Sequence, residues 1–448
     1  MADAHQPPGA ASADGPDVSP PPGGRPDPAV AASASPRRAG RPPTGLLPFA
    51  AAVVLTGVAA GAGGAGLTLL LHGVQRLAYG YTDDTFLAGV EHASGVRRVV
   101  ALTVGGALSG VGWWALRRCS SANTSVAAAV ADPRHALPVP VTTADAVLQI
   151  VAVGFGASLG REGAPRKLGA AAAGWLARRA GVGPEQQRTL LACGAGAGLA
   201  AVYNVPLGGA LFTLEVLLAS AALRQVIPAV LTAAVATAVA WPVVTNRPTY
   251  LVAQLHQSPA ILVWSVLLGP LAGAVGVGFV ALTSPSRTPA GWRLPVAVTA
   301  VFAVLGALAV AYPQLLGNGK GPAQLAFVGA LSVPTIGVLL VLKPLATAAC
   351  LRSGAAGGLL TPAVATGALL GALTGRVWTL LWPGSPTAAF AVVAAAAVLA
   401  ATQRAPLTAI VLTIEFTHVG TALLVPMMLA VGGATLTAHL LPSPPSSR

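Results

Sequence analysis

From residue 46 onward, long apolar stretches alternate with short polar breaks. The runs Leu46–Leu71, Val99–Leu116, Val226–Val244, Ala260–Leu282 and Val296–Ala311 carry no charged residue. Each is close to the length that crosses a hydrocarbon core of about 30 Å as a helix. Barrel strands would be shorter and would alternate apolar with polar positions, which these runs do not. The pattern predicts an all-α integral membrane protein. Residues 1–45 differ: they hold 11 of the 38 prolines, four Arg and four Asp, and read as a disordered, cytoplasmic tail. That stretch lacks the charged start, apolar run and cleavage site of a signal peptide.

Composition sharpens this reading. Charged residues make up 9% and hydrophobic ones 54% of 448, with mean hydropathy +0.72. A soluble domain carries about 25% charged residues. The 53 glycines, together with many alanines, suit helices that approach closely in lipid. The net charge of +13 comes from scattered singles and pairs such as Arg97-Arg98, Arg117-Arg118 and Arg178-Arg179. These flank apolar runs as interfacial anchors and could draw anions inward. No basic tract suggests a nucleic-acid partner. Cys119, Cys193 and Cys350 are too few and dispersed for a disulfide framework, and no metal-ligand spacing occurs.

The apolar part repeats internally. Gly198-Leu-Ala-Ala-Val-Tyr-Asn-Val-Pro206-Leu-Gly-Gly-Ala-Leu-Phe-Thr-Leu-Glu215 returns, 200 residues on, as Val398-Leu-Ala-Ala-Thr-Gln-Arg-Ala-Pro406-Leu-Thr-Ala-Ile-Val-Leu-Thr-Ile-Glu415. A weaker echo links Gly160–Gly169 with Gly358–Gly367. The expected division is a membrane repeat over 46–245, a connection at 246–254, a second repeat over 255–442 and a short tail at 443–448. Doubled membrane domains often place the substrate near the midplane, where broken helices meet.

Of the 13 acidic residues, most fall in the tail or in polar segments; Asp132 and Asp145 read as flanking a Pro-rich stretch, and Glu185 as lying in a Gly-Pro loop. Glu162, Glu215 and Glu415 stand in apolar surroundings, where an ionisable group is costly and function is the default hypothesis. Glu215 and Glu415 hold matching repeat positions and read as structural, pairing with an Arg or capping a helix. Glu162 lies in Ser158-Leu-Gly160-Arg161-Glu162-Gly163-Ala164-Pro165, with Pro165 in the first turn of a new helix. Free N–H groups and the macrodipole make such a helix start an anion site. A glutamate there acts as a tethered anion. Its protonation would free the place for a mobile one. The matching place, Ser353-Gly-Ala-Ala-Gly357-Gly358-Leu359-Leu360-Thr361-Pro362, has no carboxylate and would contribute backbone N–H groups.

These motifs resemble the CLC family of chloride channels and chloride–proton antiporters. Gly160-Arg161-Glu162-Gly163 is similar to its Gly-Arg-Glu-Gly-Pro motif, and Gly358–Pro362 to its Gly-x-Phe-x-Pro motif, with Leu360 replacing Phe. Asn204-Val-Pro206-Leu and Arg404-Ala-Pro406-Leu-Thr match two further segments. The resemblance covers about residues 48–441. It implies the CLC fold with two inverted-topology repeats and re-entrant helices, a homodimer with one pore per subunit, a bacterial inner (plasma) membrane location, chloride as substrate with protons as a possible second one, and no cofactor. It casts Glu162 as the gate and Ser121, Arg161, Gly163, Leu359 and Leu360 as anion ligands. Ser121 aligns with the pore serine of the family's Gly-Ser-Gly-Ile-Pro motif. The inner proton glutamate of the family's exchangers is Val216 here. The family's last-helix tyrosine has no counterpart near Arg448, which implies an inner gate missing or built otherwise. Both departures lean toward a channel.

Two other classes fit the sequence poorly. Gly156-Ala-Ser158-Leu-Gly160 fits the nucleophile elbow of serine hydrolases, but the preceding run is helix-length and the histidines are isolated. An organic-solute carrier would need a polar pocket that few intramembrane residues could line. Gly317-Asn-Gly319-Lys320-Gly321 lacks the glycine and Ser/Thr of a phosphate-binding loop and reads as a plain loop.

Overall fold

The computed structural model describes residues 45–80, 85–120, 124–133, 137–253, 255–284 and 288–442. Ser121 lies outside the described residues. Among them are seventeen α-helices and no strand. The first half runs α1 (Leu46–Tyr79), α2 (Phe86–His92), α3 (Gly95–Cys119), α4 (Val126–Ala131), α5 (Val139–Gly154), α6 (Gly163–Ala180), α7 (Pro184–Tyr203), α8 (Pro206–Leu211, continued by a π-helical turn over Phe212–Leu218) and α9 (Leu223–Val244). The second half runs α10 (Pro259–Thr283), α11 (Arg293–Ala311), α12 (Lys320–Phe327), α13 (Val333–Arg352), α14 (Leu360–Leu381), α15 (Thr387–Gln403), α16 (Pro406–Thr417) and α17 (Leu424–Leu440). Seven of these are long and apolar enough to cross a membrane. α1, at 34 residues, spans roughly 50 Å, so it must tilt or protrude.

The two halves use the same helix contacts. α1 packs on α9 as α10 packs on α17, and α6 on α7 as α14 on α15. Counterparts also meet across the halves, α3 against α11 and α8 against α16. The backbone repeats the sequence offset: Asn204 and Arg404 both close a helix in the left-handed region, at φ 56° and 52°. The following prolines, Pro206 and Pro406, then open new helices, where a missing N–H costs nothing.

α7 and α15 form the middle of the molecule. α15 is buried without a break from Ala389 to Ala401, and α7 from Thr189 to Tyr203. Helices that are apolar all round are enclosed by others. α6 reaches α7 at backbone distance, because a Cβ on Gly169 would strike the Gly194 carbonyl.

Glu215 and Glu415 are reciprocal caps. Glu415 accepts from the N–H groups of Leu207 (3.0 Å) and Gly208 (2.6 Å) at the start of α8. Glu215 accepts from the N–H groups of Leu407 (3.1 Å) and Thr408 (2.7 Å) and from the Thr408 hydroxyl (2.6 Å) at the start of α16. Each carboxylate thus satisfies orphan donors of the opposite half. No arginine is needed.

Three local expectations fail. Asp145 does not flank a turn-rich stretch; it is buried inside α5, which Pro140 opens rather than interrupts. Trp113 Nε1 (3.0 Å), Gln149 Nε2 (2.9 Å) and Lys167 Nζ (2.6 Å) all donate to its carboxylate. Glu185 lies in the first turn of α7 rather than in a loop, its charge favourable to the helix dipole. Lys320 and Gly321 open α12 instead of closing a loop.

Glu215→Ala and Glu415→Ala should each cost about 1–2 kcal/mol, read as lower melting temperatures in detergent. Unchanged melting in both would refute the cap assignment. Asp145→Ala strands two buried donors and an ammonium and should cost more, about 2–4 kcal/mol. Melting no lower than for the cap variants would show the Asp145 cluster to be dispensable.

Candidate functional site

α5 ends at Gly154 and α6 starts at Gly163; the chain between them meets the segment ahead of α14 from the other half. Gly160 and Gly358 exchange backbone hydrogen bonds, Gly160 N–H to Gly358 O at 2.8 Å and Gly358 N–H to Gly160 O at 2.7 Å. This two-bond clasp joins the two echoing motifs and brings the N-termini of α6 and α14 together. Equivalent helices from the two halves thus meet start to start, as halves of inverted topology allow.

Glu162 is the residue before α6, and its side chain is fully buried. It turns away from its own helix and reaches the start of α14, where Oε1 accepts the Leu360 N–H at 2.6 Å. Under the echo's offset of 198 residues, Leu360 is Glu162's own counterpart. Oε2 faces two hydroxyls, Tyr203 and Thr361, each at 3.2 Å. A Cβ on Gly160 or Gly358 would collide with this carboxylate, so both glycines make room for it. Leu359 and Gly163 beside it stay half-exposed, and the unpartnered Gln149 Oε1 lies against Gly163.

Basic groups gather in two places. In one, the charges of Arg161, Arg76 and Lys320 all reach His72, and all but half-buried Arg161 are exposed. Such a cluster raises the local anion concentration. Arg161 itself donates to Val202 O at 2.8 Å and stacks over the Tyr203 ring at 4.8 Å. It therefore shapes the surroundings of Glu162 without bonding its carboxylate. In the other, a cavity of ≈ 60 Å³ is lined by Arg117, Ser120, Thr124, Asp145, Lys167 and Ala356 among others.

The structure brings together Glu162, Gly163, Leu359 and Leu360, with Arg161 alongside. Val216 lies in the π-helical turn after α8, packed against the main core. Sequence reading missed Tyr203, Thr361 and the part-buried pair Asp145–Lys167. It also missed Lys343 on α13, fully buried, whose ammonium donates to Leu315 O (2.9 Å) and Gly317 O (2.7 Å). The repeat held one signal: Asp145 and Lys343 are 198 residues apart, opposite charges at one repeat position. Ser158, the elbow candidate, is buried with its hydroxyl 3.3 Å from that of Thr347, not a histidine.

Comparison with known proteins bears on this site. The family model described as "Voltage gated chloride channel" matches residues 105–439. The chain is 33% identical over 312 residues to a putative ClcB-like chloride channel protein of Ralstonia nicotianae, covering 66% of this chain and 71% of the relative. It is 34% identical over 273 residues to the H(+)/Cl(-) exchange transporter ClcA of Cronobacter sakazakii, covering 58% of each. It is 31% identical over 306 residues to ClcA of Yersinia pestis, of which it spans 64%. The fold matches a slow cyanobacterial Cl-/H+ antiporter with TM-score 0.76 at 21% identity, over 89% of this chain and 96% of that one. It matches a CLC-type fluoride/proton antiporter with TM-score 0.68 at 19% identity, over 87% and 95%. These two likenesses establish the inverted-repeat fold. The family match runs through both halves and takes in Glu162 and Leu360, and on it this chain belongs to the CLC, or voltage-gated chloride channel, family of multi-pass membrane proteins, which move anions and are not enzymes.

Proposed function

We propose that the chain conducts chloride along a path that the ionised Glu162 carboxylate closes and its protonation opens. One observation carries this reading: a fully buried carboxylate bonded to the first N–H of a helix from the other half, where two helix starts converge. An ionised carboxylate there is itself the anion that the N–H groups and dipoles require. Protonation removes its charge and lets chloride replace it. Backbone dipoles hold chloride without a fixed full charge that would trap it, as throughput requires. Gly163, Leu359 and Leu360 would supply N–H ligands and Ser121 a hydroxyl, while Arg161 would attract anions from the approach. The working unit would be a homodimer in the bacterial plasma membrane, built from repeats over 46–245 and 255–442.

Val216 favours a channel, since an apolar side chain cannot relay a proton. The alternative, chloride–proton exchange, is favoured by the names of the ClcA relatives.

Purified protein in liposomes with an outward chloride gradient separates the two. Chloride efflux without proton movement is expected; efflux that drives protons inward would make this an exchanger. Efflux should rise as pH falls, by at most about tenfold per pH unit for a one-proton gate. Glu162→Ala should conduct at neutral pH with a flat pH profile. An unchanged profile in that variant would end the gate reading.

A further inference from the structure

Three oxygens form a closed triangle at the seat of Glu162. The Tyr203 hydroxyl lies 2.7 Å from Thr361 Oγ1, and both lie 3.2 Å from Glu162 Oε2. Two hydroxyls carry only two hydrogens, so one of the three contacts is without a proton while Glu162 is ionised. Both hydroxyls can donate to the carboxylate, or one can donate to the other, which then donates to the carboxylate.

The triangle is built, not incidental. Tyr203 ends α7, in the fully enclosed middle of the protein, and is 3% exposed. Arg161 stacks on one side of its ring, and Phe416 of α16 meets it edge-on at 5.5 Å. Thr361 is the second residue of α14 and is 2% exposed. Tyr203 has a glutamine, Gln403, at the matching repeat position, so the hydroxyl belongs to one half only.

We infer that Tyr203 and Thr361 form a hydroxyl latch: they hold the seated Glu162 carboxylate, and when it leaves, the same two hydroxyls and the Leu360 N–H become the ligands of the chloride that takes its place. The inference rests on Glu162 being the gate. Other charged groups around the seat have other partners or act at a distance. Arg166 of α6 donates to the Glu162 backbone carbonyl at 3.2 Å, and Arg161 to Val202 O. Asp145 of α5 is paired with Lys167, and Lys343 of α13 is bonded to carbonyls. Tyr250, ahead of α10, is within electrostatic reach and is 1% exposed. The latch is the polar side-chain contact of the carboxylate itself.

The latch sets how readily Glu162 leaves. Removing one hydroxyl weakens the seated state in either protonation form, so the path opens at higher pH. In the liposome assay, Tyr203→Phe should move the pH of half-maximal chloride efflux upward by about one unit, the equivalent of a tenfold change in the seating equilibrium. It should also raise the chloride concentration for half-maximal flux. Thr361→Val should act likewise, and Thr361→Ser, which keeps the hydroxyl, should restore the wild-type midpoint. In a Glu162→Ala background, Tyr203→Phe should weaken chloride affinity with no pH effect. If Tyr203→Phe fails to fold, the Thr361 pair decides alone. A folded Tyr203→Phe or Thr361→Val with an unmoved midpoint overturns the latch. If Glu162→Ala is flat with pH and these midpoints stay put, the latch alone fails. If Glu162→Ala keeps its pH dependence, the gate fails and the latch with it.

Discussion

Two helix N-termini aimed at one enclosed point create a demand for negative charge, and much of the structure serves that demand. Each helix start presents N–H groups without intrahelical partners and the positive end of a dipole. Away from water, these groups must find an acceptor. The Gly160–Gly358 clasp fixes the two starts against each other, and the missing Cβ atoms leave space for a carboxylate. Glu162 fills it at zero exposure. Burying a charge is costly, and the Leu360 N–H with two hydroxyls offsets that cost. In the proposed gate, ligands that are dipoles rather than fixed charges would let an inorganic anion take the carboxylate's place.

Duplication supplies this geometry. Inverting one half relative to the other turns one helix start into two that face each other. The same symmetry yields the reciprocal caps, Glu215 on α16 and Glu415 on α8, which tie the halves together. Where the halves diverge, function differentiates them. Glu162 answers to Leu360, Tyr203 to Gln403, and Asp145 to Lys343. A symmetric duplicate would put a carboxylate at both helix starts, and two like charges would then compete for one place.

Much of this was legible in the sequence because it is written locally. The apolar runs marked the spans, the 200-residue offset marked the doubling, and glycines with a proline around a lone membrane glutamate marked the helix start. Other features depend on contacts that no local pattern encodes. The Tyr203 hydroxyl meets a residue 41 positions away and Thr361 meets one 199 away. Asp145 looked like a loop residue because prolines precede it, yet Pro140 sits in the first turn of α5, where it is tolerated. α7 and α15 are too enclosed to show a lipid-facing pattern, so hydropathy could not rank them as the centre of the molecule.

The central claim is that chloride and the Glu162 carboxylate compete for one place, with a proton deciding between them. Calorimetric chloride binding to the purified protein, in two buffers of different protonation enthalpy, tests this directly. The account predicts proton uptake approaching one per chloride bound at neutral pH, an affinity that rises as pH falls, and loss of both in Glu162→Gln. Chloride binding with no proton uptake and an affinity independent of pH would contradict it.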